Sequence, residues 1–191
     1  VIAQFFYVGV QIMCWTFIIQ YGTRVFMAEG MDEQTAEVLS QKYNIAAMIL
    51  FVTCRFLCTW LMKYLKPSKL LTIFAIGGMV ATAGVIFLQN RLGLYCLVAV
   101  SGFMSLMFPT IYGIALGGLG DDAKFGAAGL IMAILGGSVL PPLQAWIIDK
   151  GTIGFLPAVN ASFILPFICF IVVCFYGIRT LKIHLADVKK V

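Results

Sequence analysis

Gln4, Tyr7, Gln11 and Trp15 stand in the segment VIAQFFYVGVQIMCW, which is otherwise apolar. Their spacings of three, four and four put them on one face of an α-helix. Gln11 lies about ten residues into the apolar run, and an amide at such depth must find hydrogen-bond partners. Two roles fit. The first is contact between helices, with the amides bonding a neighbour and the aromatic rings packing. The second is a polar cavity for a ligand. Amides and aromatic rings without charge suit a neutral, polyhydroxylated molecule. Gln can donate and accept at adjacent hydroxyls, and an indole can cover the C–H face of a sugar ring. On these grounds Gln11, Trp15 and Tyr7 are candidate ligand contacts. Later in the chain Ser101, Ser105, Phe108 and Tyr112 form a second stripe, with Pro109 beside it. Ser105 and Tyr112 join the candidates.

The elements that must carry these stripes follow from composition. The chain has 191 residues, 62% apolar and 11% charged. Soluble domains carry roughly 25% charge. Mean hydropathy is +1.02, so this is a membrane protein. A helix needs about 20 apolar residues to cross the hydrocarbon core. Six segments qualify, at about residues 2–27, 33–64, 70–89, 92–116, 125–148 and 158–178. Asp32 is the expected N-cap of the second. That helix is longer than the membrane is thick, so it should tilt or project. No segment alternates with period two over a strand's length, which argues against a β-barrel. The first apolar run has no initiator Met or polar leader before it and is too long for a signal peptide. The chain is therefore expected to be a fragment, or the second half of something larger.

Lys63, Lys66, Lys69, Lys124, Arg179, Lys182, Lys189 and Lys190 fall on one side of this topology. Arg91 and Lys150 fall on the other, with Arg24 and Lys42 near helix ends. The positive-inside rule puts the first side, and both termini, in the cytoplasm. The acidic loop with Glu29, Asp32, Glu33 and Glu37 is then external. The net charge of +5 is thus topological and points to no nucleic-acid partner. Six cysteines all sit in apolar runs, so no disulfide framework is expected. His184 lies in a charged tail. Arg55, the clear charge deep in a helix, is expected to snorkel or to meet backbone carbonyls.

The third and sixth helices are apolar all round and are expected to face lipid, whereas the first and fourth carry the polar stripes and should share a concave surface. This order, twice over, suggests a 3+3 repeat of the kind that builds secondary transporters, inverted in the membrane. The Gly- and Pro-rich run GAAGLIMAILGGSVLPPLQ (126–144) allows close packing and a kink. Every Asp and Glu lies in a loop, a tail or at a helix end, so a proton relay, which needs a carboxylate or His at depth, is not visible here. GGLGDDAKFG is no P-loop, since Phe follows Lys124 and no strand precedes it. Nothing forms a nucleophile triad or a metal site, and no enzyme activity or cofactor is expected. A six-helix channel remains a rival reading. Two separate stripes suit a cleft facing a second half better than a pore.

Three stretches, AQFFYVGVQIMCW, RFLCTWLMKYL and MFPTIYGIALGGLGDDAKFGAAGLIMAILGGSVLPPLQ, resemble the C-terminal half of the fucose:proton symporter family of the major facilitator superfamily. The resemblance covers nearly the whole chain and is strongest over residues 3–15 and 101–144. It implies an all-α parent of twelve helices, with helices seven to twelve here. It implies uptake of L-fucose, or of glucose, galactose or N-acetylglucosamine, across a bacterial inner membrane. It also implies that the proton-coupling carboxylates belong to the N-terminal six-helix half. One departure stands out. Where the superfamily's loop motif reads G-x-x-x-D-R-x-G-R-R, this chain has Cys58, Met62, Lys63 and Leu65 at the glycine, acid, first basic and second glycine positions. A latch that depends on that acid is in doubt.

Overall fold

The computed structural model of the chain describes residues 1–117 and 119–188. Lys189 and Lys190, counted above among the basic residues, lie outside that range. Six spans are long and apolar enough to cross a membrane. The first is one helix, α1 (Ile2–Ala28). It ends where Gly30 takes φ +91°, and the Met31 N–H returns to the Phe26 carbonyl at 3.2 Å. Glycine favours that left-handed turn because it has no Cβ to clash. Asp32 then caps α2 (Glu33–Leu61) with extended backbone and no side-chain hydrogen bond. The third span is α3 (Pro67–Phe87). Here the structure departs from the expected limits of 64 and 70, and Pro67 is the reason. It disfavours helix at the residue before it and is itself well suited to a first helical position.

The last three spans are each interrupted. The fourth is α4 (Arg91–Met104) followed by α5 (Met107–Leu116), not the continuous helix expected over 92–116. Pro109 offers no N–H to the Ser105 carbonyl, and its ring crowds the preceding turn. The fifth comprises a 3₁₀ turn (Gly120–Asp122), α6 (Ala123–Met132), a second 3₁₀ turn (Ala133–Leu135) and α7 (Gly136–Ile148), which contains Pro141 and Pro142. A two-residue antiparallel hairpin, β1 (Thr152–Ile153) with β2 (Leu156–Pro157), leads to the sixth. That span is α8 (Ala158–Ser162) and α9 (Ile164–Val188), so helix continues ten residues beyond the expected end at 178.

The core is built around the first and fourth spans. Tyr7, Met13, Ile18 and Tyr21 of α1 bury against Leu94, Leu97, Val100 and Met104 of α4, with Phe163 and Phe170 behind. The third and sixth spans also have a packed face. They pack on each other, since the Phe170 ring fills the space beside Gly78 and Thr72 sits against Gly177. Each keeps one outward apolar stripe, Ile73, Ile76 and Val80 on α3 and Ile164, Ile168, Ile171 and Phe175 on α9. The second and fifth spans are the most open, with 17% and 22% of their most apolar windows buried.

Candidate functional site

The site is assembled where α1 meets the break in the fourth span. The two run antiparallel. Tyr7, near the start of α1, donates its hydroxyl proton to the carbonyl of Met104, the last residue of α4, at 2.9 Å. At the far end Glu29 accepts from Arg91 Nε at 2.9 Å and Nη2 at 2.6 Å. The Tyr7 ring lies 6.2 Å from that of Phe108, and Tyr112 stacks on Phe108 at 6.3 Å with planes 10° apart. Tyr7, Phe108 and Tyr112 thus form an aromatic row from α1 onto α5. Gln11 stands one turn beyond Tyr7 towards the acidic end. Tyr112 stands one turn beyond Phe108 towards the basic end. The two are about 12 Å apart along the helix axes.

Of the five candidate contacts, three stay partly open. Gln11, Trp15 and Tyr112 are half-buried. Gln11 has no side-chain hydrogen bond among the described residues. The Trp15 ring meets Phe51 of α2 edge-on at 5.0 Å, while its Nε1 has no partner among the described residues. Tyr7 and Ser105 are fully buried. Tyr7 is committed to Met104, and Ser105 Oγ donates to the Gly102 carbonyl at 2.8 Å. Tyr7 thus joins the first span to the fourth, whereas the Ser105 hydroxyl bonds within its own span. Gln4, the first member of the stripe, is also fully buried, and neither polar atom of its amide has a partner among the described residues. An unpaired buried polar group costs about 1–3 kcal/mol, so such atoms mark places where water or ligand belongs. Arg55 is exposed on α2.

Sequence reasoning missed the polar node at the acidic end. Asn160 of α8 is buried and donates to the Val85 carbonyl at 3.0 Å. Tyr21 donates to the same carbonyl at 3.3 Å and to that of Leu88. This node joins the first, third and sixth spans. The signal was an amide directly after the Pro157 break. Gln144 of α7, fully buried, donates to Ser162 Oγ at 3.1 Å and leaves its own carbonyl oxygen unpaired. Glu29 lies beyond the end of α1, and the Arg91 guanidinium holds its carboxyl below the usual range. Among the described residues no three His, Cys, Asp or Glu side chains gather as a metal site.

Six apolar spans in two sets of three, with a seam of polar and aromatic groups between the first and fourth, make up half of a major facilitator superfamily transporter. The chain superposes on the crystal structure of the transporter FucP in its outward conformation with a TM-score of 0.81 and 30% identity, over 94% of this chain and 41% of that one. No family model matches. Among curated proteins, the L-fucose-proton symporter of Haemophilus influenzae is 58% identical over 96% of this chain and 41% of its own length. That of Escherichia coli is 32% identical over 93% of this chain and 38% of its own. Over nearly its whole length the chain is similar to these L-fucose-proton symporters, and it spans about two fifths of their length.

Proposed function

We propose that this chain is the C-terminal six-helix half of a proton-coupled sugar symporter, importing L-fucose across a bacterial inner membrane by alternating access. Both ends of the segment are cytoplasmic in this reading. The observation that carries it is the 58% identity to a protein named L-fucose-proton symporter. The half-buried Gln11 amide supports it, because it is free to replace the water contacts that a sugar loses on entering the membrane. Gln11 bonds sugar hydroxyls, Trp15 covers a ring face, and Tyr112 closes the opposite side. Tyr7 holds α1 against α4 beneath them. No described span of this half carries an Asp or Glu at mid-depth, so the coupling carboxylates are assigned to the N-terminal half. That half packs on the open faces of the second and fifth spans.

Uptake by the full-length parent, in cells lacking their own permeases, tests this reading. L-fucose should accumulate, and collapse of the proton gradient should stop it. Accumulation of glucose or galactose without fucose would reassign the sugar, and uptake indifferent to the gradient would end the symport reading. Vesicles holding residues 1–191 alone should accumulate none of these sugars.

A further inference from the structure

At the basic end of the bundle a cavity of about 450 Å³ opens between the fourth and sixth spans and the turn that joins α2 to α3. Pro109, Gly113 and Gly117, one helical turn apart, form one wall, and Thr180 and Ile183 of α9 form another. A Cβ placed on Gly113 would meet nothing within 4 Å, so this wall is recessed. Thr180 spends its hydroxyl on the Tyr176 carbonyl of its own helix at 2.6 Å, which leaves the wall effectively apolar. The charge on the lining is the ammonium of Lys66, at the rim.

The surroundings fix the depth and the sign. Trp60 at the end of α2 and Tyr64 in the turn that follows are exposed, with ring centroids 5.1 Å apart. Exposed Trp and Tyr collect at the membrane–water interface, so the rim lies at headgroup level. Lys63, Lys69, Arg179 and Lys182 are exposed at this end as well, against the carboxylates of Asp121 and Asp122 in the neighbouring turn. Basic pockets between membrane helices bind anionic lipid headgroups. A soluble anion would need several convergent donors, and this cavity offers one cation above an apolar recess.

We infer that the cavity binds one anionic phospholipid, with its phosphate at Lys66 and an acyl chain laid along the Pro109–Gly113–Gly117 wall. The site lies apart from Gln11 and Trp15 and does not depend on which sugar moves. The test uses the purified, delipidated full-length parent. Phosphatidylglycerol, phosphatidylcholine and glycerol phosphate are added, and binding is followed by native mass spectrometry. Phosphatidylglycerol should bind, and the other two should not compete with it. Lys66→Gln should weaken it about fivefold, which corresponds to ~1 kcal/mol per basic residue near an anionic surface. Gly113→Leu, which fills the recess, should abolish it, while Lys150→Gln at the opposite end should change nothing. Sugar affinity should be unchanged in Lys66→Gln, so failure here is separate from failure of the transport reading. Equal binding of both lipids, or competition by glycerol phosphate alone, would overturn the inference, as would a folded Lys66→Gln protein that binds like the parent. If Gly113→Leu does not fold, Lys66→Gln decides.

Discussion

The first three spans and the last three share a plan and differ in continuity. Burial pairs them. In their most apolar windows the first and fourth are 56% and 61% buried, the second and fifth 17% and 22%, the third and sixth 39% and 50%. Yet the first three are single helices, and every one of the last three is broken. Proline accounts for much of this. Of six prolines, Pro67 alone precedes residue 90, and it opens α3. Pro109, Pro141, Pro142, Pro157 and Pro166 all fall in the second set. Each interior proline removes a helical hydrogen bond. The first set is therefore built stiff and the second bendable, and the seam between them must hold a straight partner against a jointed one.

The largest effect is expected where α1 and α7 approach most closely. A Cβ at Gly136 would collide with the backbone carbonyl of Phe5, and one at Gly9 with the Leu140 side chain. Backbone cannot move aside as a side chain can. Gly136→Leu in the full-length parent should therefore cost more than the ~1–3 kcal/mol typical of overpacking. Gly113→Ala, in the same set but facing open space, should leave the melting temperature unchanged. Equal melting of the two variants would break the picture of a tight seam beside a loose wall.

Gln11→Leu comes next, and it asks whether the straight set carries recognition. Leaving a sugar hydroxyl unpaired costs about 1–3 kcal/mol, so affinity should fall by about tenfold or more. Leucine suits a membrane helix, so the melting temperature should hold. Calorimetry and a melting curve on one purified variant separate the two roles. A lowered melting point with unchanged affinity would assign Gln11 to helix contact.

Tyr7→Phe should do the reverse. It removes the one hydroxyl that reaches the Met104 carbonyl, at 2.9 Å, and strands that acceptor in the core. A loss of about 1–2 kcal/mol of stability is expected, with sugar affinity per folded molecule kept. A variant that melts like the parent but binds sugar more weakly would return Tyr7 to the ligand contacts.

Much of this was legible in the sequence, and the exceptions have physical causes. Six spans could be counted because the hydrocarbon core demands long apolar runs, and polar loops separate them. Breaks inside spans leave hydropathy untouched, so Ser105–Leu106 read as continuous helix despite Pro109. The third and sixth spans read as lipid-facing because an apolar stripe looks the same against lipid as against a neighbour. The same ambiguity hid the hydrogen bonds of Tyr7 and Ser105. Spacing puts a hydroxyl on a face, but only the fold shows which carbonyl comes within reach. Gln11 was visible as a candidate because an amide at depth is conspicuous. Asn160 was not, because its partners are carbonyls some seventy residues away in sequence.

The smallest effect is electrostatic and lies at the acidic end of the seam. Glu29 follows the first helix of the straight set and Arg91 opens the jointed one, and their ion pair is exposed. The pair holds the Glu29 carboxyl below its ordinary value, first through the hydrogen bond from Arg91. A carboxyl with a lowered folded-state pKa adds stability above its unfolded pKa, about 4.3. That contribution fades as pH falls through the folded value. Glu29→Gln keeps the shape and removes the charge. The parent should melt slightly higher than Glu29→Gln at pH 7, and the gap should close as pH falls below about 4. High salt should narrow it too, because exposed pairs are screened. Other carboxylates titrate in the same window, so the clean measurement is a double-mutant cycle with Arg91→Gln. The coupling between the two positions should be present at pH 7 and should vanish once pH has fallen through the lowered folded-state value of Glu29. A coupling that persists in acid would mean that packing of Arg91 over Phe26, 5.3 Å from its ring, joins the two sets there, and that the charge pair adds nothing.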